Sequence, residues 1–103
     1  MELNLKSEIK NILTGQPVQV DNKPMTLGDV VTQALVADFK DDGEQKVTGQ
    51  VKFRRYGMAK KCVGAEKANF TSEELTEIKD LIGKLYITSI SGQAWELIEN
   101  GNS

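Results

Sequence analysis

Apolar positions recur at helical spacing through most of the chain. Leu27, Val30, Val31, Ala34 and Leu35 are separated by one, three or four residues, which puts them on one face of a helix. The spacing predicts an amphipathic helix over 27–38. Thr26 and Asp29 supply a variant capping box at its start: the hydroxyl accepts a backbone N–H while the carboxylate faces the positive helix end. Val47, Val51, Met58 and Cys62 share a narrow arc and predict a second helix from Glu44 to about Cys62. Gly49 and Gly57 interrupt it, each costing about 1 kcal/mol relative to alanine. The cleanest start signal is Phe70-Thr71-Ser72-Glu73-Glu74, with Thr71 and Glu74 as a capping box and Phe70 placed to staple onto Leu75. Leu75, Ile78, Leu81, Ile82 and Leu85 follow as one stripe. Ile87, Ile90, Ala94, Leu97 and Ile98 form another, stopped by Asn100-Gly101. The C-terminal third is therefore two helices or one bent one, with Gly83-Lys84 as the place for a kink or a close approach.

The first 24 residues follow a different period. Leu3 and Leu5 alternate with polar residues, and Gln16–Val20 reads as a second extended piece with Pro17 suited to an edge. Asp21-Asn22-Lys23-Pro24 is turn chemistry. Gly64–Asn69 reads as a connector. The expected fold is mainly α (an α+β class), with about four helices and a short N-terminal β-hairpin or extended arm. A single domain spans 1–103, divided into an arm at 1–24 and a helical core at 25–99.

Composition narrows the chemistry. The 103 residues include no histidine and one cysteine. Serine- and cysteine-based catalysis that relies on a histidine base is thereby excluded, as are most zinc sites. The expectation is no enzyme, no cofactor and no metal. Thirteen basic residues against fifteen acidic ones give a net charge of −2 and a pI near 5.1, which argues against a general nucleic-acid or membrane-surface binder. A lone Cys62 cannot form an internal disulfide, and the start MELNLKSEIKNI lacks the pattern of a signal peptide. No apolar run is long enough to span a membrane as a helix. A cytoplasmic location is expected.

Candidate sites divide into those with a defect and those without. Asp38-Phe39-Lys40-Asp41-Asp42-Gly43 lies between two predicted helices and resembles an EF-hand start. Lys40 at loop position 3 would repel the ion, and Gly49 stands where a bidentate glutamate belongs, so a solvated loop is expected. Glu73, Glu74, Glu77 and Asp80 crowd one helix start, where they favour the dipole from the solvent side. Asp80 and Lys84 have the spacing of an i,i+4 ion pair. Cys62 belongs to an apolar stripe and reads as core. One stretch combines cations with aromatics: Lys52, Phe53, Arg54, Arg55, Tyr56, Lys60 and Lys61. On a helix, Lys46, Arg54, Lys60 and Lys61 form an arc that contains Phe53. That arc would follow a phosphate backbone, or its arginines would pair with the acidic C-terminal helices. Trp95, the single tryptophan, would close the core or anchor a partner.

The segment Lys23-Pro24-Met25-Thr26-Leu27-Gly28-Asp29-Val30 resembles one found in small phage and prophage proteins of uncharacterised role. The run Lys52-Phe53-Arg54-Arg55-Tyr56 is similar to theirs too. So is the ending Ile82-Gly83-Lys84 followed by Gly92-Gln93-Ala94-Trp95-Glu96-Leu97. The resemblance covers about Lys23 to Glu99 and carries no catalytic signature. It implies expression in a bacterial cytoplasm. The expected role is a non-enzymatic protein-interaction module that docks onto a virion-assembly or host protein, as an assembly chaperone or a host-factor inhibitor. Its contact candidates are Phe53, Arg54, Arg55, Tyr56, Lys60, Lys61 and Trp95. The alternative is a nucleic-acid-binding regulator using the basic helix around Lys52–Lys61. An uncovered apolar face on the C-terminal helices would also admit a homo-oligomer.

Overall fold

The computed structural model describes residues 1–37 and 48–100. Within them lie four helices and two small two-stranded sheets, a mainly α fold with minor β. Helix α1 (Leu27–Val36) begins at Thr26, whose hydroxyl accepts from the Asp29 N–H at 3.2 Å. The Asp29 carboxylate in return accepts from the Thr26 N–H at 3.0 Å. The capping box is complete. Leu27, Val30, Val31, Ala34 and Leu35 are all buried, as their spacing requires. The helix stops at an extended Ala37, just before the predicted end at Asp38.

Helix α2 spans Gly49–Cys62, and the part of the predicted helix at 44–47, with Val47 of its arc, lies outside the described residues. Thr48 is extended, and its hydroxyl accepts from the Val51 N–H at 3.3 Å, so a capping threonine opens the helix inside the stretch the apolar arc had claimed. Helix α3 (Ser72–Leu85) carries the predicted Thr71–Glu74 capping box, with N–H to oxygen distances of 2.8 and 3.1 Å. Helix α4 (Thr88–Glu99) is separate from it, parted by the extended residues Tyr86 and Ile87.

The first residues are built into the fold. Strand β1 (Glu2–Asn4) pairs antiparallel with a strand at Lys67–Asn69, here β4, in the register Glu2↔Asn69, Leu3↔Ala68 and Asn4↔Lys67. The stretch read as a connector thus holds a strand. Strands β2 (Gln19–Val20) and β3 (Lys23–Pro24) form the hairpin expected from Asp21-Asn22. Both turn residues have positive φ, 53° and 65°, the geometry of a type I′ turn whose twist matches its strands. Ile9 joins this hairpin through N–H bonds to Met25 and from Val18.

Leu3, Leu5 and Ile9 are buried to within 2% and lie in the same core as α1. The segment read as an arm therefore supplies part of the hydrophobic interior. Gly28 lets it approach: a Cβ there would stand 3.0 Å from both the Cβ and the carbonyl oxygen of Leu5. Helix α1 is the hub of the core, packing against α2, α3 and α4. It meets Met58, Ala59 and Cys62 of α2, the Leu75–Ile82 stripe of α3, and Ala94 and Ile98 of α4 within one cluster.

Candidate functional site

The candidate residues on α2 divide between three faces of one helix. The inner face buries Arg55, Met58, Ala59 and Cys62. The flank turned to α3 carries Arg54. The outer face carries Phe53, Tyr56, Gly57 and Lys60, since residues three and four apart align along a helix. Phe53 is 76% exposed and Tyr56 55%. The Lys60 ammonium stands 5.6 Å from the centre of the Tyr56 ring, within cation–π range.

The two arginines do not share the outer face. Arg54 holds Glu77 of α3 through three contacts, Nη2 to both carboxylate oxygens at 2.9 and 2.8 Å and Nε to Oε1 at 3.3 Å. Arg55 Nε donates to the same carboxylate at 2.8 Å, from a side chain only 11% exposed. Burial alone would raise the Glu77 carboxyl. Hydrogen bonds and charge from Arg55 and Arg54 outweigh that and hold it below the ordinary carboxylate range. Glu77 thus faces α2 rather than solvent, correcting its assignment to the acidic solvent side. Beside this network runs an open polar groove of about 540 Å³, lined by both arginines, Glu73, Glu77, Asp80 and Lys84 among others.

Lys61, two turns after Arg54, lies on the same flank. Its ammonium lies 5.2 Å from the Phe70 ring centre and donates to the Asn69 carbonyl at 3.3 Å, so it ties α2 to the end of β4. Cys62 is buried, and desolvation raises its thiol pKa despite a Thr32 hydrogen bond and the nearby Lys61 charge. A raised pKa suppresses the nucleophilic thiolate. Trp95 is remote from the basic stretch and neither fills the core nor stands free. Its indole N–H donates to the Lys79 carbonyl at 2.9 Å, its ring lies 5.4 Å below the Lys79 ammonium, and its edge covers Gly83. Trp95 clips α4 to α3, and a Cβ at Gly83 would meet its ring only at an ordinary contact of 3.9 Å. The candidate contacts are therefore not one surface. Phe53, Tyr56 and Lys60 remain together, while the other four are engaged in holding helices in place.

Sequence reasoning missed a second exposed apolar group. Ile12 and Leu13 stand on a turn at 67% and 89% exposure, and Ile87, counted among the stripe of α4, is its exposed N-terminal flank. The turn is fixed by Gln93, whose side-chain amide both accepts from the Lys10 N–H and donates to the Lys10 carbonyl. An Ile-Leu pair inside turn-forming Asn11–Gly15 was the available signal.

The loop considered for calcium lies outside the described residues, as does Lys46. Among the described residues, no cluster of three or more acidic or cysteine side chains is arranged to hold a metal. No described helix is long and apolar enough to cross a membrane. The described residues define a mainly α fold of four helices with minor β and an aromatic and basic helix face. Compared with known proteins, the chain matches no family model, no curated protein and no solved structure.

Proposed function

We propose that this chain is a non-enzymatic protein-interaction module of phage or prophage type, which docks onto a virion-assembly or host protein through the outer face of α2. The observation that carries the reading is the exposure of Phe53 and Tyr56 one turn apart on a capped, regular helix. Large aromatics left in water on a rigid helix cost little conformational entropy to bind and gain much on burial. The proposed kinship rests on the sequence resemblance from Lys23 to Glu99, which would imply expression in a bacterial cytoplasm; docking as an assembly chaperone or a host-factor inhibitor is the form this role would take. Protein is favoured over nucleic acid because Glu77 occupies both arginines, the groups best suited to phosphate.

The test is photocrosslinking in bacteria that carry the phage, with a photoreactive residue replacing Phe53 and, as a control, Leu13. A discrete protein adduct formed from position 53 and not from 13 is expected. Equal labelling from both positions, or none from 53, overturns the assignment to α2.

A further inference from the structure

We infer that the outer face of α2 receives an acidic amphipathic helix of the partner protein, laid across Phe53 between Gly49 and Gly57; this rests on the docking role proposed for α2. The relief of the face comes first. Phe53 has a glycine one turn before it and one turn after it, and a Cβ at either glycine would meet nothing within 4 Å. Gly57 has no positive φ to justify it and no neighbour to accommodate. Gly28 differs, because Leu5 approaches it to 3.0 Å, whereas Gly83 would accept a Cβ at ordinary contact and Gly92 of α4 is as open as Gly57; what sets Gly57 apart from these is its place beside the exposed Phe53. The fold therefore supplies no use for Gly57, although a mid-helix glycine weakens the helix. A use outside the chain is close approach. The distance between packed helices depends on the side chains at their contact, so a glycine beside an aromatic knob gives a partner helix a hole and the knob its lever.

Charge then selects the occupant. Residues 49–62 hold Lys52, Arg54, Arg55, Lys60 and Lys61 and no carboxylate. Glu77 answers Arg54 and Arg55 from within the chain, and Lys61 is turned toward β4. Lys60 stays on the outer face against Tyr56. A ligand whose apolar side covers Phe53 and whose flank presents carboxylates to Lys60 matches both features. Complementary charge of this kind fixes orientation and suppresses wrong partners. An extended nucleic acid would instead need a continuous row of available cations, which the turn of Arg54 and Lys61 away from this face interrupts.

The test is titration of the ¹⁵N-labelled full chain with three probes: a synthetic helix with leucine on one face and glutamate on the other, its lysine-for-glutamate counterpart, and a poly-dT oligonucleotide. The acidic helix is expected to shift the amides of Gly49, Phe53, Gly57 and Lys60 and to leave the turn at Leu13–Gly15 unmoved. Phe53→Ser and Gly57→Leu should each weaken it about tenfold, the scale of a binding hot spot, with thermal unfolding confirming that both variants are folded. Equal binding of the acidic and basic helices overturns the charge assignment. Binding of poly-dT at these amides overturns both the occupant and the protein-docking role. No shift with any probe overturns the inference. The two readings separate in the crosslinking experiment: an adduct at position 53 whose contacting segment is not an acidic helix removes this occupant and leaves the docking role standing.

Discussion

Replacing Gly57 by alanine should make this protein more stable, an outcome opposite to that of most substitutions. Gly57 lies in the interior of α2, with helical backbone and open space where a Cβ would go. The gain has two sources: alanine loses less backbone freedom on folding, and it covers helix backbone otherwise exposed to water. Host–guest values put it at about 1 kcal/mol in a helix interior. For a domain near this size that corresponds to a rise in Tm of about 4 °C. The measurement is paired thermal and urea unfolding of the native chain and Gly57→Ala. Gly28→Ala serves as the internal contrast. Its Cβ would press on the Leu5 carbonyl, 3.0 Å away, at the point where the Gly28 N–H donates to that same oxygen. Backbone cannot yield as a side-chain tip can, so Gly28→Ala should lower Tm. A Gly57→Ala variant that is less stable than the native chain would falsify the claim that this glycine has no structural use, and with it the reason for seeking an external one. Two variants moving Tm in the same direction would show that local space does not separate these glycines.

Three further outcomes follow from the same structure. Because the Glu77 carboxyl is held low in the folded state, its contribution to stability should be complete above the ordinary carboxylate range near pH 4–5 and be lost as pH falls through its folded pKa. The stability gap between the native chain and Glu77→Gln, read from urea midpoints, should therefore be flat above about pH 5 and shrink below it; a gap that widens on acidification contradicts the sign. Leu3→Ala should cost about 2–5 kcal/mol, since Leu3 is fully buried, and a near-neutral result would return the first residues to the status of an arm. Ile87 occupies the N-cap of α4 with extended backbone, no capping hydrogen bond and an exposed side chain, so Ile87→Asp should add about 1 kcal/mol to the urea-derived stability. No gain there would mean that the aspartate fails to reach the N–H groups of the first turn.

Local signals were legible in the sequence wherever the determinant was itself local. Thr26–Asp29 and Thr71–Glu74 place helix starts through side chains three residues apart, and both boxes form. The burial of Leu27, Val30, Val31, Ala34 and Leu35 follows from periodicity alone. What escaped was nonlocal. Strand β4 is held by β1 across more than sixty residues, and Lys67-Ala68-Asn69 has no strand propensity to announce it. The apolar arc ran past Thr48, whose extended backbone and capping hydroxyl open α2. Within the candidate site, the helical wheel placed Arg54, Lys60 and Lys61 on one arc with Phe53. It could not show that Arg54 and Lys61, at one edge of that arc, are engaged by α3 and β4 while Phe53 and Lys60 face outward. That depended on where α3 and β4 lie, and Glu77 is the contact that decides it for Arg54.

The charge distribution looks different once its partners are known. Along the sequence, cations gather in the middle and acids in the C-terminal third, an asymmetry that suits either a charged ligand or internal pairing. Internal pairing absorbs part of it: Glu77 takes Arg54 and Arg55, while Lys79 meets Glu99 within the acidic third itself. The order of the three α2 faces then carries the functional consequence. Arg54 and Arg55 join α2 to α3 and act together with the burial of Met58, Ala59 and Cys62 against the core to set the rotation of α2 about its axis. That rotation turns Phe53 and Tyr56 outward, because they precede and follow the arginine pair by one position and a helix advances about a quarter turn per residue. An arginine pair flanked by two aromatics is therefore a device for aiming them: the pair is bound inward and the aromatics are left to water. On this account Glu77 orients the candidate docking surface without belonging to it, and removing its charge should weaken capture through position 53 by loosening α2 rather than by deleting a contact.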